Sequence, residues 1–264
     1  MDFELLAMLL ALGGIVGVLA GLLGIGGGIV VVPALSVMLP AFGIRPDIVM
    51  HIALATSLAT IILTAGSSAF NHLKLGNVDF AVVKWLLPGI MTGGFAGSYI
   101  ADFVPEYLLP KIFGVIVTLL GLQMLFAVRF KRVKASQGKV STVIAGSVIG
   151  TVSALAGIGG GTIIVPYLSR YGVEMRRAVG SASVCGAVVA ISGMTGFILH
   201  GVSAEHLPPY SVGYVYLPAL FAIACTSVLT TKIGANLATQ LPTPTLKKIF
   251  AVFLLFVAAK MLFS

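Results

Sequence analysis

Two copies of one pentapeptide, Gly24-Ile25-Gly26-Gly27-Gly28 and Gly157-Ile158-Gly159-Gly160-Gly161, interrupt an otherwise apolar chain, each followed by a short run carrying a proline, Pro33 or Pro166. Consecutive glycines present backbone rather than side chain. Their free N–H groups at the start of the next helix can hold an anion, and the positive end of the helix dipole favours it. The other use of such glycines is close packing of helices. Nucleotide binding does not fit: the Lys-Ser/Thr of a phosphate-binding loop is missing, and Ile29 and Thr162 stand where a dinucleotide fingerprint needs its last glycine. The anion reading makes Gly24, Gly26, Gly27, Gly28, Gly157, Gly159, Gly160, Gly161 and Thr162 candidate substrate-binding positions.

A second matched element follows, Ala53-Leu54-Ala55-Thr56-Ser57 against Ala178-Val179-Gly180-Ser181-Ala182, with Ser183 one residue beyond. The hydroxyls of Thr56, Ser57, Ser181 and Ser183 can line an oxyanion site as neutral donors. They can equally bond back to a carbonyl one turn earlier. His51 and His72 bracket the third apolar segment, and Arg176 and Arg177 open its counterpart. His51, His72 and Arg177 are candidate charge partners for an anion, and a histidine there could couple transport to protons; placement in loops and interfaces is the plainer reading. No Asp or Glu falls in the middle of an apolar segment, which argues against a cation carrier. Lys84, Lys232 and Lys260 near segment ends read as snorkelling cations and Trp85 as an interfacial anchor. Cys185 and Cys225 show no metal or redox spacing and read as packing residues. An intramembrane hydrolase would have Ser153 or Ser183 as nucleophile, but the histidines sit at segment ends and no GxSG-type elbow occurs. Neither catalytic residues nor a metal or cofactor is expected.

With 58% hydrophobic and 9% charged residues among 264, and a mean hydropathy of +1.11, the chain lies far from the roughly 25% charged content of soluble domains. It reads as an all-α, polytopic membrane protein. Asp2 and Glu4 replace the positive start of a cleaved leader, so the first helix is expected to be retained. The net charge of +8 marks cytoplasmic loops rather than nucleic-acid binding.

Apolar segments cover about 5–23, 29–39, 49–70, 79–101 and 107–128, and again 140–157, 162–169, 177–199, 211–234 and 246–263. Gly13, Gly17 and Gly24 match Gly146, Gly150 and Gly157 at one offset, so the chain is a duplication. Gly13, Gly17, Gly146 and Gly150 read as helix-packing positions. Residues 1–128 form a first membrane repeat, 129–139 a basic cytoplasmic linker with Arg129, Lys131, Arg132, Lys134 and Lys139, and 140–264 a second repeat. Five segments per half is odd, so the copies should enter the membrane from opposite sides. Loop charges agree: the Arg45–Asp47, Asp102–Glu106 and Glu205–His206 loops fall outside, and Lys74, Arg170, Arg176, Arg177, Lys247 and Lys248 inside, with both termini outside. Pro88 and Pro218 are expected to kink the fourth segments. The eleven residues 29–39 reach only about 16 Å. Either each glycine motif is a re-entrant turn near mid-membrane, or segment two runs on through Ala41-Phe42-Gly43-Ile44 as a tilted span with the glycines nearer a surface.

The stretches GLLGIGGGIVVVPAL (21–35) and SALAGIGGGTIIVPYL (153–168), the Ala-Val-Gly-Ser start at 178–181 and the two-repeat layout resemble the TauE/SafE family of sulfite-exporter-like membrane proteins. Ala55 stands where that family more often has glycine. The resemblance implies a multi-pass inner-membrane carrier of small sulfur-containing anions such as sulfite, organosulfonates or thiosulfate, generally moved outward. The expected partners are therefore a small anionic solute, the lipid bilayer and protons as coupling ion, with no nucleic acid; no oligomeric state is read. A passive anion channel is the nearest rival, and a purely structural subunit has little use for two matched helix breaks.

Overall fold

A computed structural model describes residues 3–23, 27–126, 138–204, 206–240 and 243–263. The first half holds α1 (Phe3–Leu23), α2 (Gly28–Ala41), α3 (Pro46–Lys74), α4 (Phe80–Phe103) and α5 (Leu109–Leu125). The second holds α6 (Lys139–Leu155), α7 (Gly161–Arg170), α8 (Met175–Gly201), a small hairpin of β1 (Ser211–Val212) and β2 (Val215–Tyr216), then α9 (Leu217–Gln240) and α10 (Thr243–Phe263). Five of these helices, α1, α3, α4, α8 and α9, are long and apolar enough to cross a membrane. The protein is a multi-pass, all-α membrane protein. Asp2, Glu205 and the cationic residues Arg129, Lys131, Arg132 and Lys134 of the linker lie outside the described residues.

The middle of the bundle belongs to α3, where every residue from Ile48 to Ile61 is buried. A helix that is apolar all round must be enclosed on all sides. It packs against α2, α8, α9 and β2. Its near-equivalent α8 crosses it antiparallel: Ser68 near the end of α3 meets Ser183 near the start of α8, and Leu58 lies against Gly193. The pair α5 and α10 also runs antiparallel, with Gly114 against Leu262 and Gly121 against Leu255. By contrast α1 runs parallel to α9 and α4 parallel to α6. Exchanging the halves maps these neighbours onto themselves, since α1 on α9 becomes α6 on α4.

Without a hydrophobic drive between helices in lipid, such pairs depend on small residues that let backbones approach. Gly13 and Gly17 sit against the α9 backbone at Ile223 and Ser227. The matching Gly146 and Gly150 sit against α4 at Leu86 and Ile90, while Gly89, Gly93 and Gly97 of α4 face Val143, Ser147 and Thr151 of α6. Large apolar side chains such as Leu119, Leu229 and Phe256 are exposed on the outside of the bundle, the surface that lipid covers.

Three local expectations are corrected. Helix α9 starts at Leu217, because residues 211–216 form the hairpin around Gly213, whose φ is +54°. Pro218 therefore occupies the first turn of α9, where its missing N–H removes no helical bond, and only Pro88 stands inside a fourth helix. Helix α2 stops at Ala41 and does not run through Gly43, whose φ of +80° is left-handed. The tight α4–α6 seam makes a stability prediction. Gly93→Ala drives a Cβ into the Ser147 carbonyl and is expected to cost about 1–3 kcal/mol, lowering the melting temperature in detergent, whereas Gly66→Ala, which faces open space, is not. Equal melting curves for the two variants would contradict this packing.

Candidate functional site

The second glycine motif is a defined break between two helices. Helix α6 ends with Gly157 N–H donating to the Ala154 carbonyl at 3.1 Å and Ile158 N–H to the Ser153 carbonyl at 2.9 Å, while Gly157 takes a left-handed φ of +58°. That is a Schellman cap, which ends a helix with its last carbonyls satisfied. Three residues later Gly160, also left-handed at φ +67°, caps the start of α7, and its carbonyl accepts from Ile163 and Ile164 at 3.0 and 2.8 Å. The N–H groups of Gly161 and Thr162 have no backbone acceptor among the described residues. Residues 156–160 are all buried. The first two residues of α7, Gly161 and Thr162, are half-buried, and free N–H groups at a helix start are a geometry that can hold an anion.

Of the first motif, Gly24 and Gly26 lie outside the described residues, and Gly27 and Gly28 open α2. The two breaks meet each other. A Cβ on Gly28 would strike the Gly157 carbonyl, and Ser57 clasps the contact: its hydroxyl donates to the Gly157 carbonyl at 2.8 Å with the Gly28 carbonyl oxygen 3.3 Å away. On the other side Gly186 of α8 packs directly on the Gly159 carbonyl. Ser57 comes eleven residues after Pro46 and Gly186 eleven after Met175. Both contacts thus lie about 16 Å along their helices at 1.5 Å per residue.

The remaining hydroxyls divide by task. Thr56 Oγ1 accepts from the Tyr216 N–H at 3.1 Å, just before α9, and Ser181 Oγ accepts from the Asp79 N–H at 2.9 Å, just before α4. These two matched residues do matched work across the halves, each holding the entry to the other half's fourth helix. Ser183 Oγ lies 3.0 Å from Ser68 Oγ and donates back to the Val179 carbonyl at 3.1 Å. Thr162 Oγ1 and Ser153 Oγ are buried with no partner among the described residues. Ser153 was weighed from sequence only as a hydrolase nucleophile; a signal for its importance was available, because at the repeat offset it and Thr162 replace Ala20 and Ile29.

The charge candidates do not converge on the breaks. His51 lies one turn inside α3 and is buried, its Nε2 3.1 Å from the Ala101 carbonyl oxygen and its ring stacked on Tyr214 at 4.9 Å. It lines a cavity of ≈ 560 Å³ with Asp47, Asp102, Glu106, Tyr107 and Tyr214. That cavity gathers residues from the Arg45–Asp47 and Asp102–Glu106 loops, which loop charge assigned to one side. Tyr214 donates to Asp102 Oδ1 at 3.1 Å; burial, and then the Asp102 charge, push its hydroxyl up to about 12, so it remains a donor at neutral pH. Arg45 pairs with Asp47 at 2.7 Å. At the other end of the bundle, Lys84 and Lys139 lie over the Trp85 ring at 5.8 and 5.1 Å. His72 is in the last turn of α3 beside Gly180, its Nδ1 buried without a partner among the described residues, and Arg177 is exposed in the first turn of α8. Cys185 is buried in α8 and Cys225 exposed on α9; both are free.

Comparison with known proteins agrees with this architecture. The family described as Sulfite exporter TauE/SafE matches over residues 9–261. A "Probable membrane transporter protein" of Haemophilus influenzae is 42% identical over 260 residues, covering 98% of each chain. Another of Methanocaldococcus jannaschii is 28% identical over 242 residues, covering 90% of this chain and 89% of its own, and YunE of Bacillus subtilis is 25% identical over 276 residues, covering 97% of both. No solved structure matches.

The division of hydroxyls predicts a split in mutant behaviour. Thr56→Val orphans the buried Tyr216 N–H and Ser181→Ala the half-buried Asp79 N–H, each just before a helix, a loss of about 1–3 kcal/mol. Both are expected to lower thermal stability while leaving anion affinity of the folded protein within twofold; a large affinity loss at unchanged stability would return these residues to the substrate.

Proposed function

Since the chain belongs to the sulfite exporter TauE/SafE family of membrane transporters, we propose that it is a secondary transporter of a small sulfur-containing anion of the sulfite, organosulfonate or thiosulfate type, exporting it across the cell inner membrane. The observation that carries this reading is the contact of two glycine helix breaks, one from each half, in the buried middle of the bundle. Irregular backbone at such depth is tolerated only where protein buries it or it lines a pathway. The two halves are inverted repeats in this reading, supported by the antiparallel pairing of the equivalent helices α3 with α8 and α5 with α10. Movement of one repeat against the other would then expose the central site to each side in turn.

Protons are the coupling ion, taken up in the cavity of His51, Asp102 and Glu106. An acidic vestibule repels an anion but concentrates protons. The cationic end of the bundle, with Lys74, Lys84 and Lys139, faces the cytoplasm. A carrier rather than a channel is favoured because the breaks are packed shut against each other by Ser57.

Proteoliposomes assayed with sulfite, methanesulfonate, thiosulfate, sulfate and a carboxylate, with and without a pH gradient, test this function. Saturable, counterflow-competent and gradient-dependent uptake of a sulfur oxyanion is expected. Gly160→Val, which forces a β-branched residue into a left-handed cap, is expected to abolish uptake in protein that still inserts. Absence of flux across the whole panel overturns the transport function, and large single-channel currents overturn the carrier.

A further inference from the structure

We propose that the second helix break holds the anion, and holds it as a monovalent oxyanion, through the hydroxyls of Ser153 and Thr162 and the N–H groups of Gly161 and Thr162. This deepens the transport function above and rests on it.

Ser153 is the residue that points there. It is fully buried, and its Oγ has no partner among the described residues. Hydroxyls on these helices ordinarily satisfy themselves one turn back: Ser192 on Val188, Thr195 on Ile191, Thr226 on Ala222 and Thr231 on Ser227. Ser153 makes no such bond, and its Oγ lies 3.1 Å from the place a Cβ on Gly160 would take, directly against the cap of α7. An unsatisfied buried hydroxyl costs about 1–3 kcal/mol. Two of the six unpartnered buried side-chain atoms among the described residues, Ser153 Oγ and Thr162 Oγ1, belong to this one break.

The first break is built differently. Ala20 and Ile29 replace the two hydroxyls, and Gly27 is right-handed at φ −75°. The space before α2 is filled, with Val16 Cγ1 against Gly27 and with the Gly157 carbonyl and Ile61 Cδ1 against Gly28. Carbonyl oxygens converge on Ser57 there, an arrangement that repels negative charge. Among the described residues, the start of α2 is thus packed closed, whereas the start of α7 keeps unpartnered donors.

Residues 153–162 carry no Lys, Arg or His. Neutral donors and one helix dipole suit a single charge, whereas the Born penalty of burying an ion grows with the square of its charge, about fourfold for a dianion. A sulfonate or hydrogen-sulfite type of ion fits; sulfate does not.

Titration calorimetry on the full-length protein in detergent at pH 7, with methanesulfonate and sulfate as ligands, tests this. Methanesulfonate is expected to bind at least tenfold more tightly than sulfate. Ser153→Ala and Thr162→Val are each expected to weaken methanesulfonate about tenfold, by loss of a hydrogen bond to a charged group, with unchanged melting temperature, while Thr162→Ser retains binding. If wild-type protein transports methanesulfonate yet both hydroxyl-deleted variants bind it as tightly as wild type, or if sulfate binds equally well, this site is overturned and the transport function stands. If no anion moves in liposomes, the failure lies with the transport function itself.

Discussion

Irregular backbone at membrane depth is tolerated only where protein buries it or it lines a cavity, and the contact of Gly28 with Gly157 is where this structure buries it. The Ser57 hydroxyl lies between the Gly28 and Gly157 carbonyls at that contact. The second break satisfies the last carbonyls of α6 by its own Schellman cap and leaves the Gly157 carbonyl to Ser57 of the first half. Gly28 and Gly186 are needed there because a Cβ on either would strike a carbonyl of the second motif, and Gly157 because its φ of +58° is left-handed and Val32 packs against it. The buried run of α3 from Ile48 to Ile61 is the wall against which this contact is made.

The same exchange of halves governs the hydroxyls that do not touch the breaks. Thr56 and Ser181 each hold the entry of a fourth helix that belongs to the opposite half. Each fourth helix thus begins at a hydrogen bond to the opposite half.

Much of the fold was legible in the sequence because apolar runs, glycine spacing and loop charge are local signals. The segments at 79–101 and 177–199 became α4 and α8 with only their ends extended. Residues 211–216 were misread because Val212, Tyr214, Val215 and Tyr216 are apolar enough to extend the following helix, and only Gly213 hints at the turn. The depth of the glycine motifs could not be read, since it depends on where α3 and α8 cross, a contact between residues more than a hundred positions apart. The tasks of Thr56 and Ser181 were hidden for the same reason. The difference between the copies was present as Ser153 and Thr162 against Ala20 and Ile29, but it acquires meaning only beside the geometry of Gly160.

The cavity at the acidic end gives the molecule a direction. His51, Asp102 and Tyr214 form a connected polar group at one mouth, joined through stacking and a 3.1 Å hydrogen bond, while cations gather at the other end. The central claim is that the second break is a site reached alternately from both sides. The most direct measurement is labelling of Thr162→Cys, in protein lacking Cys185 and Cys225, by a membrane-impermeant thiol reagent in right-side-out and inside-out vesicles. Alternating access predicts reaction from both sides, slowed from both by methanesulfonate; reaction from one side only, unaffected by the anion, would contradict it.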